Sequence, residues 1–289
     1  MELVNERNDM VALPSATVVL LRDGAADLEV FLLKRHGLSD VLGGAYVFPG
    51  GKVDGEDAEW LARIDRAPAD LHAQLAEEDL SPERAATLFV SAIREVFEET
   101  GLLFADVTPA QAQEAWAALR AGPRFGELLE PTGIRLMASA LVPWSRWVTP
   151  VVRSVSRKRF DTRFFLATVP EGQQPTHDRH EATASLWLAP REALRQYWDG
   201  GIELAPPQIM SLAHLARHRS VDSVFEAARA RRPPCIRPHP VEVDGGRILC
   251  YPGDPEHAER EQMLPGPTRL HWRSGRFEPD GGLAALTGE

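Results

Sequence analysis

Apolar, β-branched runs separated by short polar segments mark the first part of the chain. Residues 12–21 and 28–34 form two such runs, and segment 22–27 between them is turn-like, with glycine and two aspartates. Two apolar runs on either side of a short turn predict a β-hairpin. Residues 160–169 are aromatic and β-branched, which predicts a buried strand later in the chain.

A helical pattern replaces the strand pattern between residues 82 and 100. Ser81 precedes Pro82 as a predicted N-cap, and Gly101 stands where a left-handed C-cap ends a helix. One face of this helix is apolar and is expected to be anchored in a core. Its apolar residues near the C-terminal end are Ile93, Val96 and Phe97.

The remaining patterns suggest how the chain is divided. Residues 59–64 and 70–76 each have helical periodicity and fall within a segment at about 58–81. From about residue 233, prolines and glycines punctuate short β-like pieces. We therefore expect one domain over residues 1–232, which contains this helical segment, and a β-rich C-terminal extension over residues 233–289.

Composition limits the classes of partner. The 289 residues carry a formal net charge of −10, which argues against a nucleic-acid backbone as the main partner. No apolar run approaches the roughly 18 residues that a membrane-spanning helix needs. Cys235 and Cys250 have no metal-ligand or disulfide-framework spacing, so a reducing cytoplasm is the expected location.

Candidate chemistry is concentrated at the end of the predicted helix. Glu95, Glu98 and Glu99 stand at i, i+3 and i+4, so three carboxylates share one helical face. Two carboxylates about 5 Å apart repel by roughly 1 kcal/mol in water and about 3 kcal/mol at an effective dielectric near 20. Arg94 alone cannot neutralise all three, so the face is either well solvated or occupied by cations. Oxygen ligands favour Mg²⁺ first and Mn²⁺ next.

The segment 94–102 resembles the second half of the Nudix box, G-x5-E-x7-R-E-U-x-E-E-x-G-U, at every specified position. The first half begins at Gly51, with Asp57 at the position of the first glutamate and Glu56 beside it. Between Asp57 and Arg94 lie 36 residues where the family pattern has seven. Such an insertion resembles the coenzyme A diphosphatase branch of the family. Other stretches that fit this branch are 31–35, 147–150, 159–165 and 204–208.

The resemblance implies an α/β/α sandwich around a mixed β-sheet, with the box as a loop–helix–loop. It also implies a hydrolase that uses Mg²⁺ or Mn²⁺. The implied metal ligands are Glu95, Glu98, Glu99 and the carbonyl oxygen of Gly51. Arg94 is expected to position these carboxylates, and the general base is open between Glu95 and another acidic residue. Glu181 is a candidate for that base or for a further metal ligand, because family members often recruit an acidic residue from a loop between late strands for either role.

The expected substrate is a small nucleoside diphosphate derivative, and coenzyme A or an acyl-coenzyme A is the first choice. Candidate substrate-binding residues are Gly50, Arg35, Arg159 and Arg163. The arginines have a second interpretation, as solvated charges at strand ends and in a basic loop. NADH, ADP-ribose or a similar conjugate is an alternative substrate, and a non-catalytic ligand sensor is an alternative class. A homodimer is compatible with the sequence.

Overall fold

The computed structural model describes residues 11–37, 43–129, 132–150, 159–178, 182–243 and 246–289. Within these residues, eight strands form the main sheet: β1 (Leu13–Asp23), β2 (Leu28–Arg35), β3 (Tyr46–Val47), β4 (Gly50–Lys52), β5 (Val142–Val148), β6 (Phe160–Thr168), β7 (Ala182–Leu188) and β8 (Cys235–Ile236). The pair β1–β6 is parallel, whereas β1–β2 and β5–β6 are antiparallel, so the sheet is mixed as expected. The predicted hairpin of β1 and β2 is confirmed.

Two neighbouring strands of this sheet separate and leave room for the glycine-rich segment. β1 pairs with β2 only over residues 21–23, and its first half pairs with β4 instead. The end of β2 pairs with β3 over residues 33–34. The short strands β3 and β4 therefore lie where β1 and β2 diverge, and the bend between them is held on both sides.

Helices cover both faces of the main sheet. They are α1 (Pro68–Leu75), α2 (Pro82–Thr100), α3 (Pro109–Leu119), α4 (Phe125–Leu129), α5 (Pro190–Trp198), α6 (Pro206–Leu215), α7 (Val221–Arg229) and α8 (Gly282–Thr287), with 3₁₀ helices at Gly55–Arg63 and Ala138–Ala140. Side chains of alternate residues of β1 point to opposite faces of the sheet. Val18 packs in the cluster that contains α2, and Val19 packs in the cluster that contains α5 and α6. This is the expected α/β/α sandwich.

Local sequence determines both ends of α2. The Ser81 hydroxyl accepts a hydrogen bond from the Arg84 N–H, and Gly101 has φ +76° with its N–H donating to the Phe97 carbonyl. A Cβ atom at residue 101 would lie 2.8 Å from the Trp116 ring, so glycine is required there for space as well as for conformation. The predicted caps are confirmed, and they fix the register of the acidic face.

The insertion in the box is helical, as predicted, and it packs closely against the domain. Trp60, Leu71 and Leu75 are buried in the same hydrophobic cluster as α2. Its last part carries Glu77, whose carboxylate accepts hydrogen bonds from Arg163 of β6 at 3.0 and 2.6 Å. The insertion is therefore fixed to the sheet by both apolar contacts and ion pairs.

The C-terminal segment begins within the main sheet. β8 pairs in parallel with β5, and a second, four-stranded sheet follows. Its strands are β9 (His239–Val243), β10 (Gly246–Cys250), β11 (Arg269–Arg273) and β12 (Arg276–Glu278). Tyr251 and Leu270 belong to the same hydrophobic cluster as α5 and α6. The division at residue 232 stays a prediction, and residues on both sides of it share one core.

Among the described residues, no helix is long and apolar enough to cross a membrane.

Candidate active site

Two carboxylates of α2 contact adjacent glycines, Gly50 and Gly51. We call residues 48–51, which contain these two glycines, the glycine bend. The Gly50 N–H donates to Glu99 Oε2 at 2.9 Å. The Glu95 carboxylate occupies the space beside Gly51, where a Cβ atom would lie 2.4 Å from Glu95 Oε2. Thus the bend and the acidic helical face are in contact, although 43 residues or more separate them in the chain.

Glycine is required at residue 50 for a backbone reason. Gly50 has φ +152°, and an added Cβ would lie 2.3 Å from the Ala16 carbonyl oxygen and 2.6 Å from Thr17 Cα. Both of these atoms belong to the backbone of β1, which pairs with β4 at this point. Only a residue without a Cβ lets the bend approach β1 so closely.

Arg94 connects the two halves of the box. Its Nε donates to Asp57 Oδ1 at 2.6 Å, and its Nη1 donates to Glu95 Oε1 and to Glu98 Oε2 at 2.9 Å each. Its Nη2 donates to the Lys52 carbonyl oxygen at 2.8 Å. Burial disfavours the charge of Arg94, but the hydrogen bond to Asp57 and the neighbouring carboxylates outweigh it and raise the pKa of the guanidinium. Arg94 therefore remains charged and holds the carboxylates in place.

Asp57, at the position of the first glutamate of the box, pairs with Arg94 despite its shorter side chain. It is only 1% exposed, and its second oxygen accepts from the Asp54 N–H at 2.8 Å. That bond is half of a capping box that begins the 3₁₀ helix. Glu56, the neighbouring carboxylate, pairs instead with Arg124 at the surface.

The donor atoms at this location fit a hard divalent cation. Glu95 and Glu98 each place an oxygen 2.9 Å from one nitrogen of Arg94, so these oxygens are at most 5.8 Å apart. Among the described residues, no three His, Cys, Asp or Glu side chains are arranged to enclose a metal ion by themselves. Carboxylate oxygens are donors that suit a hard divalent cation, which can take further ligands from water and from substrate phosphates. Backbone oxygen at Gly51 can add a further hard donor.

Arg163 requires a correction. It was expected to face substrate, but it is 5% exposed and its guanidinium is directed to Glu77 of the insertion and to Asp161. Arg146 on the neighbouring strand β5 completes the group, with contacts of 2.7 Å to both Glu77 and Asp161. These four alternating charges stabilise the contact between insertion and sheet, and they direct the Arg163 guanidinium to Glu77 and Asp161.

The other predicted residues lie at the ends of sheet strands. Arg35 ends β2 beside Gly44, and its Nε is buried without an acceptor among the described residues. Arg159 precedes β6 and donates from Nε to the Thr149 carbonyl oxygen at 3.0 Å. Glu181 lies outside the described residues. Residues 176–178 run along the end of α2, where the Asp178 N–H donates to the Glu99 carbonyl oxygen at 3.0 Å.

Sequence reasoning missed three groups that support the site. The Lys52 carbonyl accepts from Arg94, but backbone atoms have no sequence signal. Glu77 lies 86 residues from Arg163, and only the tertiary structure brings them together. The contacts of residues 176–178 with the end of α2 are also long-range backbone contacts. The polar, turn-rich composition of that loop was the only available indication.

Known proteins that are similar to this chain have names that are consistent with the site geometry described above. The sequence profile of the NUDT19 Nudix domain matches residues 10–215. A protein of Gallus gallus named acyl-coenzyme A diphosphatase NUDT19 is 32% identical over 82% of this chain and 74% of its own length. The Xenopus laevis protein of the same name is 28% identical over 82% of this chain and 73% of its own length. A crystal structure of a Nudix hydrolase from Alicyclobacillus acidocaldarius has a TM-score of 0.58 and 27% identity, covering 77% of this chain and 97% of that one.

Proposed function

This chain belongs to the Nudix hydrolase family, and we propose that it hydrolyses the pyrophosphate of coenzyme A or an acyl-coenzyme A with a divalent metal ion. The observation that carries the reaction type is the contact of Glu95 and Glu99 with the adjacent glycines 50 and 51. The substrate is supported by the relatives named acyl-coenzyme A diphosphatase and by the insertion in the box. Products would be 3′,5′-ADP and a phosphopantetheine, acylated or free.

We assign the metal ligands to Glu95, Glu98, Glu99 and the carbonyl oxygen of Gly51. A bound Mg²⁺ or Mn²⁺ would supply charge neutralisation on the phosphate oxygens and a polarised water. Three carboxylates are suited to this role because their mutual repulsion is relieved by the cation. Arg94 cannot replace the cation, since its donors are already divided among Asp57, a backbone carbonyl and two of the glutamates.

The residues of this chain have distinct tasks in the proposed reaction. The oxygen of a water molecule bonds to one phosphorus atom of the pyrophosphate. The bond from that phosphorus to the bridging oxygen breaks, and the bridging oxygen leaves with the other phosphate. Glu95 is our candidate to accept the water proton, because its carboxylate is held at the bend by Arg94 Nη1. Glu181 stays a second candidate. Arg94 is a positioning residue, since its contacts are to carboxylates and a carbonyl.

For substrate recognition we propose Arg35, Arg159 and the Gly50 backbone. Arg35 is included because it ends β2 beside Gly44, close in the chain to the glycine bend. A phosphate oxygen is a suitable acceptor for an arginine. Lys34 lies beside it with its ammonium 5.8 Å from the centre of the Tyr46 ring.

The test is a product-resolved assay of the purified protein with Mg²⁺ or Mn²⁺. Coenzyme A, acetyl-coenzyme A, NADH and ADP-ribose are each incubated, and the products are separated and identified. We expect 3′,5′-ADP from the first two, and preference for NADH or ADP-ribose would reject the coenzyme A assignment. Glu98→Gln should abolish turnover while the protein stays folded. Glu83→Gln, at the exposed start of the same helix, should keep full turnover. Ligand binding without turnover in the wild-type protein would identify a sensor instead.

A further inference from the structure

The last turn of α2, which carries Glu98 and Glu99, is capped by a distant part of the chain. The last carbonyl groups of an α-helix lack partners within the helix. Here the Glu99 carbonyl oxygen accepts from the Asp178 N–H, and the Thr100 carbonyl oxygen accepts from the Thr176 N–H, at 3.0 Å each. These donors come 79 and 76 residues later in the sequence. The end of the acidic helix therefore depends on a tertiary contact.

The order of the strands explains why this contact forms. β6 and β7 run in the same direction on opposite sides of the pair β1–β2, so the chain between them must cross the sheet. It passes the C-terminal end of α2 against the direction of the helix, from contact with Leu103 to contact with Glu99. We call residues 173–178 the capping segment.

One buried side chain fastens the capping segment. Gln173 is 8% exposed, and its carboxamide pairs with both backbone groups of Leu103. Oε1 accepts from the Leu103 N–H at 2.9 Å, and Nε2 donates to the carbonyl oxygen at 3.0 Å. Loss of the carboxamide would take the acceptor from a buried N–H, which is costly. Near the other end of the segment, His177 Nδ1 lies 3.0 Å from Ser185 Oγ of β7.

We propose that Gln173 is a positioning residue of the active site. Through the capping segment it holds the last turn of α2, and it thereby fixes the backbone that carries Glu98 and Glu99. This turn needs support because the negative end of the helix dipole lies beside two carboxylates, and α2 has no basic residue in its last turn. The N–H donors of the capping segment offset part of that repulsion. The inference rests on the proposed role of Glu98 and Glu99 as metal ligands.

Gln173→Met tests this proposal, because methionine has a similar length but cannot form the two hydrogen bonds of the carboxamide. Gln174→Met is the matched control, since it makes the same change at the adjacent, exposed residue. Three properties of the purified full chain are compared. They are amide hydrogen exchange, the affinity for Mn²⁺ measured from the electron paramagnetic resonance of free Mn²⁺, and kcat and KM for coenzyme A with Mg²⁺.

For Gln173→Met we expect all three properties to change in one direction. The Thr176 and Asp178 amides should exchange at least about tenfold faster, while amides in the middle of α2 keep their protection. Mn²⁺ should bind at least about tenfold more weakly, as when other groups that orient metal ligands are removed. Because a displacement of about 1 Å can cost about a hundredfold in rate, kcat should fall by at least about tenfold, with KM within about threefold of the wild-type value. Gln174→Met should match the wild type in each measurement.

A second variant keeps the test decisive if Gln173→Met does not fold. Thr176→Pro removes the N–H that caps the Thr100 carbonyl, at an exposed residue, and leaves Gln173 in place. Its Mn²⁺ affinity and kcat should fall as well.

Three results would overturn the proposal. One is unchanged exchange at Thr176 and Asp178 in folded Gln173→Met, and another is unchanged Mn²⁺ affinity and kcat in the folded variants. The third is an equal loss in Gln174→Met. A wild-type protein that binds Mn²⁺ without turnover would reject the proposed hydrolysis instead, and the Mn²⁺ affinities alone would then decide the role of Gln173.

Discussion

Replacing Gly51 by alanine should lower activity strongly while leaving the fold intact. The backbone of residue 51 is outside the left-handed region, so an alanine can adopt it without strain. The new Cβ would lie 2.4 Å from Glu95 Oε2 and 2.6 Å from both Oε1 and Cδ of the same side chain. All three contacts are with the end of a flexible side chain. The helix and the strand can therefore stay in place, and Glu95 must move.

The size of the movement sets the expected effect. Ordinary contact between these atoms needs about 3.4 Å, so the Glu95 carboxylate must shift by roughly 1 Å. A displacement of about 1 Å at a catalytic group can cost about a hundredfold in rate. The free energy of unfolding should change by less than about 1 kcal/mol, since glycine to alanine at a compatible backbone is mildly stabilising.

Two matched substitutions separate this effect from general damage. Gly55→Ala adds the same methyl group where no atom lies within 4 Å, so activity should be unchanged. Gly50→Ala places its Cβ 2.3 Å from the Ala16 carbonyl oxygen, which the backbone must relieve, so stability should fall together with activity. We would measure kcat/KM for coenzyme A with Mg²⁺ and unfolding in urea for each variant. Full activity of Gly51→Ala, or a stability loss equal to that of Gly50→Ala, would refute the reasoning.

Three further predictions concern charges. A lysine at position 94 cannot reach Asp57, Glu95 and Glu98 together, so kcat of Arg94→Lys should fall by at least about tenfold. Recovery of kcat at high Mg²⁺ would show that only metal affinity had changed. Glu77→Gln leaves the buried Arg163 without its main carboxylate, which should cost about 3–5 kcal/mol in urea unfolding. Burial and nearby arginines lower the pKa of His214 to about 3, from an ordinary value near 6.5. In the unfolded chain His214 keeps its ordinary pKa, so it binds a proton at a higher pH than in the folded chain. The free energy of unfolding should therefore fall by up to about 1.4 kcal/mol per pH unit as the pH falls from 6.5 toward 3.

Each of these three predictions has its own control. Arg84→Lys, at the exposed start of α2, should leave kcat unchanged. Glu78→Gln removes an exposed carboxylate next to Glu77 and should cost little stability, so equal losses for the two variants would contradict the proposed ion-pair group. His214→Gln should flatten the acid limb of the stability profile. An unchanged slope would assign the proton uptake to other groups.

The sequence by itself determined the elements whose cause is local. The i, i+3, i+4 spacing placed three glutamates on one face of α2, and Ser81 and Gly101 ended that helix where the sequence predicted. The strand runs of β1, β2 and β6 were also recognisable, because side-chain period and turn chemistry act over a few residues. The box pattern then indicated the family, and the profile match and the relatives confirmed it.

Only the tertiary structure decided which charges have partners. Arg163 had the same sequence signal as a ligand-binding arginine, yet it is bound to Glu77, 86 residues away. Similarly, the close approach of Glu95 to Gly51 depends on β1 and β2 separating to admit β4. Such contacts join segments far apart in the chain, and their geometry follows from how the whole core packs. Short-range spacing carries no record of that packing, so it could suggest candidate residues for the site but not their partners.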